Sequence, residues 1–174
     1  MRTLQQPLFT PETEWVPPDR LPDLSSHSEI AIDLETRDPN LMTMGSGSVR
    51  RDGEVVGIAV AVEGWSGYFP IAHEGGGNMD RALVLDWFEE LLQTTSTKIF
   101  HNAMYDVSWI RSLGFYINGG IIDTMIAASL IDENRFSYTL DSVGKDYIGM
   151  RKNEKLLQDA AKDFGVNAKA EMWR

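Results

Sequence analysis

Ile30-Ala31-Ile32-Asp33-Leu34-Glu35-Thr36 is a run of apolar residues that leads straight into two carboxylates. It holds no glycine or proline, and its isoleucine and leucine content predicts a strand buried on both faces. Side chains alternate along a strand, so Asp33 and Glu35 point to one side. Their Cα atoms then lie roughly 7 Å apart, at about 3.3 Å of rise per residue. Two neighbouring carboxylates repel, and each loses hydration when buried. A positive group belongs between them, and hard oxygen donors suit Mg²⁺ or Mn²⁺. The alternative is a strand end that reaches solvent with two ordinary surface acids.

The rest of the chain limits what such a strand can serve. At 174 residues it fits one domain with a real core, and 43% hydrophobic and 24% charged residues are globular values. No run is long and apolar enough to span a membrane, and the first residues lack a basic-then-apolar signal pattern. With no cysteine, disulfides and thiolate metal sites are excluded, and a reducing cytoplasm is suited. A formal charge of −10 argues against a passive coat on a polyanion. It leaves open an acidic site that turns locally positive once loaded with metal.

Residues 1 to 28 carry Pro7, Pro11, Pro17, Pro18 and Pro22 without periodicity and read as an irregular arm or linker. After the first strand, roughly Glu29 to Leu34, the glycines and serines from Arg37 to Gly53 predict a long exposed loop. Arg50 and Arg51 lie in it, either simply solvated or meeting a phosphate backbone. Val55 to Val62 is a second buried strand, and Tyr68 to Ile71 an antiparallel partner. Asn78 is the expected N-cap of a helix from Met79 to about Gln93, with Leu83, Trp87 and Leu91 on its buried face. A short strand at Lys98–His101 leads to a helix from Asn102 to Leu113. Ile121-Ile122 is extended, and helices are expected over Asp123–Asp132, Tyr138–Tyr147 and Asn153–Phe164. Strands first, then strands alternating with helices, predict an α/β fold with a mixed sheet.

His101-Asn102-Ala103-Met104-Tyr105-Asp106 repeats the logic of the first strand: a strand ends and a helix begins on a polar residue. Asn102 and Asp106 are four apart, hence on one helix face, at a sheet end where α/β folds place ligand sites. Asn102 reads as an N-cap, a functional group, or both. Asp106 alone reads as a first-turn acid favoured by the helix dipole. Beside Asp33 and Glu35 it reads as a third metal-binding acid. His73 and His101 lack partners at zinc-ligand spacing and read as packed histidines.

These residues carry a family resemblance. Asp33-Leu34-Glu35-Thr36 resembles the first motif of the DnaQ-like DEDD 3′–5′ exonucleases, and His101-Asn102-x-x-Tyr105-Asp106 resembles their second. Asp123-Thr124-Met125-x-Ala127 and Thr139-Leu140-Asp141-Ser142-Val143-Gly144, then Tyr147-Ile148-Gly149, are similar to the following stretch in proofreading domains of family A DNA polymerases. Tyr68-Phe69-Pro70-Ile71-Ala72-His73 fits the same group, and the loops at Arg37–Arg51 and Glu74–Asn78 point to its bacteriophage-type members. The likeness runs from about Glu29 to Gly149, and it rests on the order and spacing of the motifs.

The resemblance implies a ribonuclease H-like fold, a mixed sheet of about five strands flanked by helices, over residues 29–174. It also implies hydrolysis of the 3′-terminal phosphodiester of single-stranded DNA by two divalent ions, Mg²⁺ or Mn²⁺, about 4 Å apart. Asp33 would bridge the ions, Glu35 would hold the ion that activates water, and Asp106 would serve the other through water. Leu34, Thr36 and Asn102 would meet the strand, and Asp123 would cap or support from behind. The implied partners are a single-stranded DNA 3′ end and a downstream polymerase domain, with no membrane, in a bacterial or phage-infected cytoplasm. One departure stands out. The family completes its site with Tyr or His followed four residues later by Asp, but Tyr138 is followed at that distance by Ser142, and Tyr147 by Arg151. The expectation is a piece of a longer chain, weakly active or inactive. A non-catalytic module that positions DNA or a partner, and an RNA-trimming relative, are the rival expectations.

Overall fold

In the computed structural model, which describes residues 16–151, 155–165 and 167, the run around Ile32 becomes β1 (Glu29–Arg37), the middle strand of a five-stranded sheet. Two one-turn helices, α1 (Leu41–Met44) and α2 (Gly47–Arg50), separate it from β2 (Glu54–Val62). β2 runs antiparallel to β1, and β3 (Trp65–Pro70) antiparallel to β2. Helix α3 (Arg81–Gln93) then crosses to β4 (Thr97–Phe100), and α4 (Ala103–Ser112) crosses to β5 (Ile121–Asp123), both strands lying parallel to β1. The order is β3-β2-β1-β4-β5. Helices α5 (Thr124–Ile131), α6 (Leu140–Ile148) and α7 (Lys155–Phe164) follow.

One core joins Ile30, Ile32 and Leu34 of β1 and Ile58 and Val60 of β2 to Val84, Phe88 and Leu92 of α3 and Trp109 and Ile110 of α4. β1 is therefore buried on one face, not on both. Ala31 and Asp33 on the opposite face are exposed. The alternation was present in the sequence, but Ala31 sits among isoleucines and made the run look continuously apolar.

Other expectations shift for physical reasons. The segment after β1 is not a plain exposed loop, since Gly47 and Ser48 are buried in it. Arg50 is neither solvated nor free for a phosphate. It donates to both oxygens of Asp52 at 2.9 and 3.0 Å and to the carbonyls of Met44 and Gly45. Helix α3 is capped by Asp80, whose carboxylate accepts from the N–H groups of Ala82 and Leu83, not by Asn78. Asn78 instead closes a ring with both backbone groups of His73. The buried face of the helix is Val84, Phe88, Leu91 and Leu92, while Leu83 is 59% exposed. Thr139 caps α6, so the helix begins at Leu140 and not at Tyr138.

Pro17, Pro18 and Pro22 lie in chain without regular structure, while Pro7, Pro11 and the expected helix start at Asn153 lie outside the described residues. Leu24 is buried, and the Trp87 indole on α3 donates to the Pro22 carbonyl at 2.8 Å. Lys98 is fully buried in β4. Its ammonium donates to the carbonyls of Thr94, Ser96 and Asn118, tying the two ends of the α3–β4 and α4–β5 connections to the strand between them.

Candidate active site

β4 pairs with β1 only between Glu29 and Ala31, so past Ala31 the edge of β1 on that side has no strand partner. Helix α4 starts where β4 stops, and its first turn fills the gap. The Asp106 carboxylate accepts the Leu34 N–H at 2.9 Å, in the place of a ladder bond that a longer β4 would have made. Asp106 is 3% exposed. Burial first, and then the charges of Asp33 and Glu35, push its pKa up to about 7 against the opposing Leu34 N–H. Three carboxylates thus gather around the Leu34 backbone: two on the strand, flanking it in sequence, and one reaching in from the helix.

Asp33 and Glu35 share the face of β1 that the helices leave open. Across the ladder Asp33 faces Ala59 and Glu35 faces Gly57, and the register slips by one residue just after Glu35. That irregularity bends the strand end that carries the acids. Ala59 in turn faces Tyr68 of β3. The phenol hydrogen-bonds to His73 Nε2. Burial, then Glu35 and Asp33, hold the phenol pKa far above its ordinary value, so it keeps its proton.

Thr36 shares a 2.7 Å hydrogen bond with the Tyr105 hydroxyl, which ties the end of β1 to α4 beside Asp106. Leu34 is 5% exposed, and its side chain belongs to the core. Asn102 stands at φ 68°, and its side chain makes no capping bond. The cap comes from Asp123 at the end of β5. One Asp123 oxygen accepts from the Asn102 N–H at 3.1 Å and the other from Ala103 at 2.8 Å, while the first also accepts from Met125 and Ile126. A single carboxylate therefore caps α4 and α5 together. Burial pushes Asp123 up, but those four N–H groups outweigh it and hold it below the usual carboxylate value. His101 bridges the Thr124 hydroxyl and the Tyr138 carbonyl, which places it as a structural group.

Sequence reading missed the Tyr68–His73 pair and its place beside Glu35. A signal was available: Gly57 interrupts an otherwise apolar strand, and a glycine there marks a close approach by another group.

Among the described residues no three His, Cys, Asp or Glu side chains converge tightly enough to share one ion. The donor chemistry nevertheless fits a hard divalent cation: carboxylate oxygens only, two of them on an open face, with their charges strong enough to raise the third acid.

Comparison with known proteins places the chain in a family and a fold. Residues 12–170 match the family model of the 3′–5′ exonuclease of family A DNA polymerases. The chain is 37% identical to the DNA-directed DNA polymerase of Pseudomonas phage M6, over 99% of this chain and 27% of that polymerase. It therefore spans about a quarter of that relative's length. Brucella melitensis NrnC bound to pGG superposes with a TM-score of 0.55 at 18% identity, over 76% of this chain and 58% of that one. For Escherichia coli RNase D, described as an exoribonuclease involved in structured RNA processing, the TM-score is 0.54 at 16% identity, over 75% and 30%. These two structures share the ribonuclease H-like fold: a mixed five-stranded sheet flanked by helices.

Proposed function

The chain belongs to the 3′–5′ exonuclease family of phage-type family A DNA polymerases, and from that membership we propose that its parent removes nucleotides from the 3′ end of single-stranded DNA as a proofreading activity. The observation that supports this most is the gathering of Asp33, Glu35 and Asp106 around the Leu34 backbone at the end of the central strand.

The reaction is attack of water on the 3′-terminal phosphodiester, with departure of the penultimate 3′ oxygen and release of a nucleoside 5′-monophosphate. Two divalent ions, Mg²⁺ or Mn²⁺, would when bound polarise that phosphate, ease deprotonation of the water and offset charge on the leaving oxygen. Asp33 and Glu35, on the open face, are the residues that would hold them. Asp106 would contribute its oxygen not engaged by Leu34, through an intervening water. Asp123 fixes the backbone of Asn102 and Ala103, so Asn102 stands at a set place beside the strand's path. Thr36 is held by Tyr105 on the other side of that path. Residues 29–174 would form the catalytic unit, with 1–28 an arm laid before it, and a polymerase domain would share the parent chain in a bacterial cytoplasm.

A second reading has its own observation. No Tyr or His after Asp106 is followed four residues later by Asp. The 174 residues alone then act slowly, or serve as a module that positions DNA. Product analysis tests the proposal. The parent polypeptide with Mg²⁺ should release nucleoside 5′-monophosphates one at a time from single-stranded DNA. Release of oligonucleotides or 3′-monophosphates would contradict it, and faster attack on RNA of the same sequence would move the substrate to RNA.

A further inference from the structure

The glycine in β2 explains a contact that the catalytic reading does not use. Glu35 and Gly57 are directly opposite one another in the antiparallel β1–β2 ladder. Side chains at such a pair start about 5 Å apart and share a face. Gly57 has no side chain, and the space is not empty. A Cβ built there would collide with the Tyr68 hydroxyl and Cζ and would lie 2.7 Å from Cε2. The phenol of β3 therefore reaches over β2 and puts its hydroxyl where the side chain facing Glu35 would stand. His73 fixes it there: its Nε2 hydrogen-bonds to the phenol, and the edge of its ring meets the Tyr68 ring with centroids 5.9 Å apart. Asn78 holds His73 in turn, through both of that residue's backbone groups. The hydroxyl is thus locked from behind, on the open face of the sheet, beside one of the two strand acids.

Resting on the proposed metal-dependent reading, we propose that Tyr68 is a positioning residue for Glu35: its clamped hydroxyl, standing in the slot that Gly57 leaves open, sets the direction in which the Glu35 carboxylate presents its oxygens to a divalent cation. A glutamate on a strand has three side-chain torsions, and a cation that keeps strict geometry loses affinity when one ligand is free to turn. A fixed O–H dipole at the base of the carboxylate removes that freedom, as outer partners of metal ligands do elsewhere. Tyr68 touches neither substrate nor cation.

The test uses the 174-residue chain and Mn²⁺ alone, with no nuclease assay. Calorimetric titration and the metal-free melting temperature are measured for wild type, Tyr68→Phe and Asp33→Ala. Tyr68→Phe keeps the ring and loses only the hydroxyl. The expected result is Mn²⁺ binding weakened by about tenfold or more at a temperature where both proteins are fully folded, with a modest fall in metal-free melting temperature from the lost Tyr68–His73 bond, while Asp33→Ala binds no Mn²⁺. If Tyr68→Phe binds as tightly as wild type while Asp33→Ala has lost the ion, the positioning role is overturned and the metal site stands. Weakened binding that disappears when both proteins are titrated well below their melting temperatures makes Tyr68 a structural residue, and it overturns the role as well. Equal Mn²⁺ behaviour of wild type and Asp33→Ala removes the metal site itself, and the role falls with it.

Discussion

Asp106 shows how one side chain can serve the fold and the site through different properties. Its oxygen closes the open edge of β1, and its charge is unwelcome among its neighbours. Substitution separates the two. Asp106→Asn keeps an acceptor for Leu34 and removes the charge, so the metal-free melting temperature should rise and any rise on adding Mn²⁺ should shrink or vanish. Asp106→Ala leaves the Leu34 N–H without its partner at a buried site, which costs about 1–3 kcal/mol. A differential scanning comparison of the two variants checks both signs, and destabilisation by Asn as large as by Ala would make the charge itself stabilising. The pH dependence has a definite direction. The folded carboxyl titrates at about 7, above the ordinary value of 3.8, so the folded state holds a proton that the unfolded chain has lost between those values. Metal-free stability should therefore fall as pH rises from about 4 to about 7, by at most about 1.4 kcal/mol per pH unit for one proton. In Asp106→Asn that slope should flatten. Denaturant titrations at pH 4.5 and 7 measure it. The pairing of Asp33 with Glu35 was legible in the sequence because alternation along a strand is a local rule. The burial of Asp106 was not, because it depends on where β4 stops, and four residues of β4 do not announce that limit.

At the scale of elements, helices α4 and α5 are joined at their starts by one carboxylate, that of Asp123. β4 and β5 pair in parallel, with Phe100 opposite Asp123, which brings the end of β5 to the start of α4. Sequence alone showed Asp123 as the cap of its own helix, because that bond spans two residues. The bonds to Asn102 and Ala103 span about twenty and required the sheet order. Asp123→Ala should therefore remove caps from both α4 and α5. The loss should total about 1–4 kcal/mol, at about 0.5–2 kcal/mol for each cap. Thermal or denaturant unfolding measures it, and a cost below about 0.5 kcal/mol would mean that water replaces the carboxylate. Amide exchange adds a local readout, since Asn102 and Ala103 should lose protection together with Met125 and Ile126. The order of the principal strands and helices was legible from periodicity and glycine breaks. Their exact starts were not, because Asp80 and Asn78, or Thr139 and Tyr138, compete as boundaries within a residue or two, and tertiary partners such as the His73 backbone decide between them.

For the molecule as a whole, a charge of −10 and a site of carboxylates set the terms on which it meets DNA. Without divalent ions, phosphate and protein repel, and binding of a single strand should be negligible in EDTA. Mn²⁺ should raise it, and the gain should be absent in Asp33→Ala. Anisotropy of a fluorescent oligonucleotide reads both. Composition made this much legible, as it made legible the absence of any thiolate site. It did not reveal that Asp106 is buried against the Leu34 N–H, since that depends on one long-range hydrogen bond. The central proposal is that Asp33, Glu35 and Asp106 form an exonuclease site, one that a Tyr-x-x-x-Asp motif in the parent would complete. The measurement that tests it most directly follows a 5′-labelled single-stranded DNA with Mg²⁺. It compares the 174-residue chain, the chain continued through that motif in its parent, and the continued chain with Asp33→Ala. The continued chain should shorten the strand one nucleotide at a time from the 3′ end, the 174 residues should do so about 10²-fold more slowly or not at all, and Asp33→Ala should abolish it. Equal activity with and without Asp33, or equal rates for the short and continued chains, would contradict the account.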